Sequence, residues 1–166
     1  MAEPALPDFR LYVSRSGSAA IGARLRRLSE RIDRDAGKLY AELGVRFEQR
    51  WFGVFSLLDL HGPLPVGELA AALGVSHASV SQVRQALADA GLITWERDAR
   101  DGRSRVLRLT GEGADLAARL APVWRALAAA AVELNAEADD ALAGLERLET
   151  ALDRASILDR AKRLLK

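Results

Sequence analysis

Apolar residues recur along this chain at two spacings. Ile21, Leu25, Leu28, Ile32, Ala36, Leu39 and Leu43 step by three and four, which gathers them on one face of a helix over about 18–43. Arg24, Arg26, Arg27, Arg31 and Arg34 flank that stripe, and Gly44 follows as a stop. Trp51, Val54, Phe55 and Leu58 share the face of a second helix over 48–61, ended by Gly62 and Pro63. Residues 64–66 read as a very short strand and 67–73 as a short helix. A tight turn at Gly74 and Val75 leads to the N-cap Ser76 of a helix reaching Ala90, closed by Gly91. The spacing then changes to alternation, so 92–97 and 104–109 predict an antiparallel hairpin with Gly102 in its loop. Helical spacing returns with Leu116, Leu120, Val123, Leu127, Ala131 and Leu134, in a helix capped by Thr110 and running to about Asn135. A polar bend at 136–140 follows, and Leu142, Leu145, Leu148, Leu152, Ala155 and Leu158 mark one last helix.

The order of elements is two helices, a helix-turn-helix, a hairpin and two helices. It predicts a mainly α fold, a winged helix-turn-helix with a small β-hairpin wing and long N- and C-terminal dimerisation helices. Ala70 sits where the two short helices would cross and Gly74 in their turn, with Leu69, Val75, Val80 and Val83 fixing the angle. Residues 1–17, with Pro4, Pro7 and the SRSGS run, read as an N-terminal arm. Residues 45–110 form the expected winged DNA-binding domain, and 18–44 with 111–166 the helical dimerisation region. The terminal helices are longer than a winged core requires. Their stripes call either for a second copy of the chain, the simplest cover, or for folding back onto their own core.

Composition narrows the chemistry. Apolar residues make up 49% of the 166, but aromatics only 5%, so the core rests on helix-favouring Leu and Ala. There is no cysteine, which removes disulfides, thiolate metal sites and thiol redox sensing. His61 and His77 are the only histidines, so no metal site and no cofactor is expected. Net charge is only +1, and positive charge gathers locally, over 24–38 and 84–108. No Walker A loop, G-x-G-x-x-G or H-E-x-x-H occurs, and the GVSHA at 74–78 lacks the closing glycine of a nucleophile elbow, so no enzyme is expected. Arg125 and Glu133 interrupt the most apolar late helix, and the N-terminus has no cationic start and apolar run. These features predict a soluble, cytoplasmic protein with no membrane partner.

The candidate chemistry is recognition of double-stranded DNA. The second helix of the helix-turn-helix begins with His77, Ala78, Ser81 and Gln82 on its outward face, with Gln85 one turn on. Such a helix sets its N-terminal residues against base edges in the major groove. Gln82 can bond an adenine edge in two places, and Ser81 a base or a phosphate. The amide ends at Ser76–Ser79 suit a phosphate. Arg100 and Arg103 flank the wing tip, where a guanidinium can enter a minor groove. Asp98 and Asp101 among them read as ion-pair partners that hold the arginines in place. Arg84, Arg97, Arg105 and Arg108 are further phosphate candidates, some of which strand alternation turns away. Solvated helix and turn faces are the plain alternative. Tyr12, Trp51, Phe55 and Trp124, with His61 or Arg50 as a polar point, read either as ordinary core or as a pocket for a small aromatic or apolar ligand.

These residues resemble the MarR (multiple antibiotic resistance regulator) family. The most specific pieces are LGVSHASVSQVRQALADAGLI at 73–93 and the wing DARDGRSRVLRLT at 98–110 followed by Gly113. Asp98, Arg100, Asp101, Gly102 and Arg103 reproduce the D-x-R-D-G-R common in family wings. The resemblance implies a homodimer held by its terminal helices, bound to a pseudo-palindromic operator, usually as a repressor released by a small ligand or an oxidant. Many relatives have Arg where this chain has Gln82 and an acid where it has Gln85, which implies a different operator. The missing cysteine excludes the oxidant-sensing branch, and two histidines are too few for the zinc-sensing one. RFEQRWFGVFSLL at 46–58 and SHASVSQ at 76–82 also resemble the regulator half of fusions to an N-acetyltransferase, whose catalytic portion has no counterpart here. The other function kept open is a winged-helix module that docks a protein instead of DNA.

Overall fold

A computed structural model describes residues 15–97 and 105–165. Contacts divide the chain into two units, one ending at Ala117 and the other beginning at Ala118. Among the described residues the first carries a 3-10 turn, Gly17–Ala20, followed by helix α1, Ile21–Glu42. A second 3-10 turn, Gln49–Trp51, leads into α2, Phe52–His61. The two-residue strand β1, Leu64–Pro65, precedes α3, Val66–Leu73, and α4, His77–Asp89. Strands β2, Ile93–Arg97, and β3, Arg105–Leu109, follow, and α5, Gly111–Glu137, begins in this unit and ends in the next. The mainly helical architecture with a small antiparallel sheet, ordered β1-β3-β2, is that of a winged helix-turn-helix.

Local chemistry sets the corners of the helix-turn-helix. Helix α3 ends because Gly74 turns left-handed, at φ +64°, a conformation that glycine adopts without strain. The Val75 amide then donates to the Ala70 carbonyl at 3.0 Å. The Val75 side chain is 44% exposed, so this residue shapes the turn with its backbone and not, as the sequence suggested, by apolar packing. Ser76 caps α4 by accepting from the Ser79 amide at 3.1 Å. On the inner face of α4, Val80 and Leu87 are buried against a core that includes Val54, Phe55, Leu58, Leu69, Leu92, Ile93, Leu107 and Leu116.

Thr110 closes the base of the hairpin. Its amide donates to the Leu92 carbonyl at 3.0 Å, and its hydroxyl donates to the Gly91 carbonyl at 2.7 Å. The same hydroxyl accepts from the Gly113 amide at 3.0 Å, capping α5. A Cβ on Gly113 would lie 2.1 Å from the Leu92 carbonyl oxygen, so only glycine lets α5 start this close to the hairpin.

In the second unit α5 continues to a turn stapled by Asn135. Its amide nitrogen donates to Asp140 at 2.9 Å and its oxygen accepts from the Leu142 amide at 2.8 Å. The single last helix expected from the leucine spacing is in fact two, α6, Ala141–Arg154, and α7, Ile157–Leu164. Ala155 is extended, and Ser156 with Asp159 forms a reciprocal capping box that starts a new helix. Among the described residues of this unit only Leu120 is buried.

Candidate nucleic-acid interface

Two surfaces of the first unit carry the residues singled out for DNA. One is the outer face of α4. With Val80 and Leu87 turned into the core, His77, Ala78, Ser79, Gln82 and Gln85 are exposed, as is the cap Ser76, while Ser81 and Arg84 are half-buried. Gln85 donates through Nε2 to Asp89 at 2.8 Å, which fixes its amide along the helix. The Ser76 and Ser79 hydroxyls are 2.9 Å apart. The ring of His77 lies beside Gly67 at the start of α3, with Cε1 3.5 Å from where a Cβ on that glycine would stand. Among the described residues no group of three His, Cys, Asp or Glu could hold a metal ion.

The other surface is the hairpin. Ile93 opposes Leu109, Trp95 opposes Leu107 and Arg97 opposes Arg105, so these six share one face. Ile93 and Leu107 are buried, so that face is the inner one at its base. Farther out it becomes aromatic and then cationic. The Arg105 guanidinium carbon lies 3.9 Å from the centre of the Trp95 ring and that of Arg84 lies 5.2 Å from it, both within cation–π reach. On the opposite face Arg108 pairs with the carboxylate of Glu96. Arg100 and Arg103, with Asp98 and Asp101, lie outside the described residues.

Trp51 and Phe55 are buried around Phe47, which sits edge-on to Tyr40, Trp51 and Phe55 at centroid distances of 5.2, 5.6 and 5.4 Å. Such pairs add about 0.5–1.5 kcal/mol each beyond burial. Tyr40 satisfies its hydroxyl by donating to Gln49 at 2.7 Å. The buried indole nitrogen of Trp51 finds no acceptor among the described residues. Arg50 is exposed and pairs with Glu48 at 2.6 Å, and His61 is exposed at the end of α2. Trp124 is half-buried in the second unit, and Tyr12 lies outside the described residues. Phe47 and Trp95 were missed in the sequence. Phe47 stands four residues before Trp51, which stands four before Phe55, and Trp95 shares the alternation of Ile93 and Arg97.

This arrangement can seat a helix end and an arginine-bearing hairpin against neighbouring parts of one polyanion. Residues 43–104 match the family model described as MarR family. This stretch is a MarR-family winged helix-turn-helix. The fold is similar to MarR-type solved structures over most of the chain. The S. aureus MepR–DNA complex matches with a TM-score of 0.65 at 20% identity, over 80% of this chain and 98% of that one. Reduced AbfR bound to DNA matches at 0.63 and 18%, over 82% and 93%. Bordetella bronchiseptica BpsR, described for regulation of its DNA binding by 6-hydroxynicotinic acid, matches at 0.62 and 21%, over 81% and 94%. No curated protein matches the chain significantly. Among the described residues no helix is long and apolar enough to cross a membrane.

Proposed function

We propose that this chain is a sequence-specific DNA-binding transcriptional regulator, a homodimeric repressor released from its operator by a small ligand. The observation that carries the reading is the exposed N-terminal face of the MarR-type α4 beside a hairpin whose outer inner-face residues are Trp95, Arg97 and Arg105. Ser76, His77, Ala78, Ser79, Ser81, Gln82 and Gln85 meet the major groove, with Gln82 reading base edges. Arg84 and Arg105 meet phosphates, and Arg100 and Arg103 at the wing tip reach the minor groove. The DNA-bound MepR and AbfR structures, alike in fold, support this placement.

Exposed apolar stripes support the homodimer. Ile21, Leu28 and Ile32 on α1, Leu142 on α6 and Ile157 on α7 are each between 46% and 66% exposed in one chain. In the dimer the two recognition helices stand about 34 Å apart, one turn of duplex. The unsatisfied indole of Trp51 supports a ligand with a hydrogen-bond acceptor, and BpsR offers a precedent in a heterocyclic acid. The protein acts in the cytoplasm, with no catalytic role.

The test is fluorescence anisotropy on duplexes tiling the DNA upstream of the gene, at two salt concentrations and against random duplex. Site-selective, salt-dependent binding is expected. Equal, weak binding to every duplex would remove the regulator. Gln82→Ala is expected to cost about 1–3 kcal/mol of discrimination on the operator and little on random DNA, and equal losses on both would take Gln82 out of readout.

A further inference from the structure

The two faces of the hairpin treat their arginines differently. On one, Arg108 is neutralised by Glu96. On the other, Arg97 stands directly opposite Arg105, and Arg84 approaches from α4. Like charges placed opposite each other repel, and among the described residues no carboxylate pairs with Arg84, Arg97 or Arg105. Arg84 and Arg105 are held instead by a ring, Trp95, itself 40% exposed.

A carboxylate and an indole both restrain a guanidinium, with opposite consequences for a ligand. A carboxylate occupies the N–H donors and cancels the charge. A ring attracts the cation through its π face and leaves the in-plane donors and the full charge available to an anion. The arrangement therefore preorganises two cations from different elements, one on the recognition helix and one on the wing, while keeping both unspent. The anion that fits is a backbone phosphate lying between the DNA segments those elements contact.

We infer that Trp95 is a positioning residue that joins Arg84 of α4 and Arg105 of β3 into one phosphate-binding unit, so that helix and wing grip DNA together. The inference rests on the DNA-binding reading and adds the coupling. Trp95 itself makes no contact with the phosphate.

The test uses the full chain and a random-sequence duplex, because a phosphate contact has no sequence requirement. Affinity is followed by anisotropy between about 50 and 200 mM salt, where each neutralised phosphate contributes a log–log slope of about −0.9. Trp95→Leu is expected to flatten the slope by about one phosphate, so that its deficit is about 3.5-fold larger at the low-salt end than at the high-salt end. Trp95→Phe is expected to restore most of the slope, since phenyl also receives a cation. Adding Arg105→Ala to Trp95→Leu is expected to weaken binding little beyond Arg105→Ala alone. Thermal melts of each variant separate these effects from folding. An unchanged slope for Trp95→Leu, whether or not its Tm falls, makes Trp95 a packing residue and overturns the coupling while the regulator stands. Additive losses for the double variant do the same. Absent or salt-insensitive binding by the unaltered chain overturns both readings.

Discussion

Leucine has opposite fates in the two parts of this chain. Leu69, Leu87 and Leu107 in the winged part are 0% exposed, whereas Leu142, Leu145, Leu152 and Leu158 are 56, 39, 41 and 60% exposed. Both sets sit at regular spacing on regular elements. In the winged part α2, α3, α4 and the hairpin turn their apolar faces toward one another within a single chain. In α6 and α7 the same kind of face has no counterpart among the described residues of its own unit. A periodic stripe reports that a face is apolar; which surface covers it is settled by topology, and here the first unit closes a core within itself while the second does not.

The largest expected effect breaks the covered side of that contrast. Leu87→Ala should destabilise the winged part by about 2–5 kcal/mol, read as a lower urea midpoint at unchanged slope. A loss well below that range would mean the core collapses around the gap. Leu152→Glu attacks the uncovered side. In an isolated chain an exposed substitution shifts stability by no more than about 0.5 kcal/mol. With a second copy covering α6, the same change should weaken the dimer at least tenfold, about 1.4 kcal/mol, and sedimentation should show the mass fall toward the monomer. An unaltered mass would place that stripe outside the dimer interface.

Ser76→Ala removes a cap from the well-packed side and should cost about 1 kcal/mol, seen in thermal melts. The smallest effect belongs to Asp35→Asn on α1. Lys38 donates to this carboxylate at 2.8 Å and holds its proton affinity below the ordinary value. Any stability from that pair is present above the unfolded-state value and lost as pH falls through the folded one. Because both side chains are well exposed, Tm should not move measurably at neutral or mildly acidic pH.

The helix-turn-helix was readable because its corners are written in single residues. Gly74 and Gly91 both adopt positive φ, and Ser76 caps α4, so the expected helix ending at Ala90 differs from the observed one by a single residue. The break between α6 and α7 was hidden because the stripe through Leu152, Ala155 and Leu158 continues across it. The signal was the Ser156–Asp159 spacing of a capping box, which apolar periodicity cannot register. For the candidate interface, burial of Val80 and Leu87 fixed which side of α4 faces outward, and the spacing carried that information. The stacking of Arg84 on Trp95 was not legible in the same way. It joins a helix to a strand eleven positions later, and only the packing of one against the other brings them within reach.

The bonds of Thr110 have a consequence for how such a protein can change. Leu92 and Thr110 are clasped backbone to backbone, and the Thr110 hydroxyl ties Gly91, just past the end of α4, to the first turn of α5. The chain between them is thus a ring fastened at its neck. Doubling the length of a flexible loop costs only about 0.6 kcal/mol, and here that cost is confined to the ring. Changes in the length of the chain inside the ring are taken up there, while the neck holds the end of α4 and the start of α5 in place.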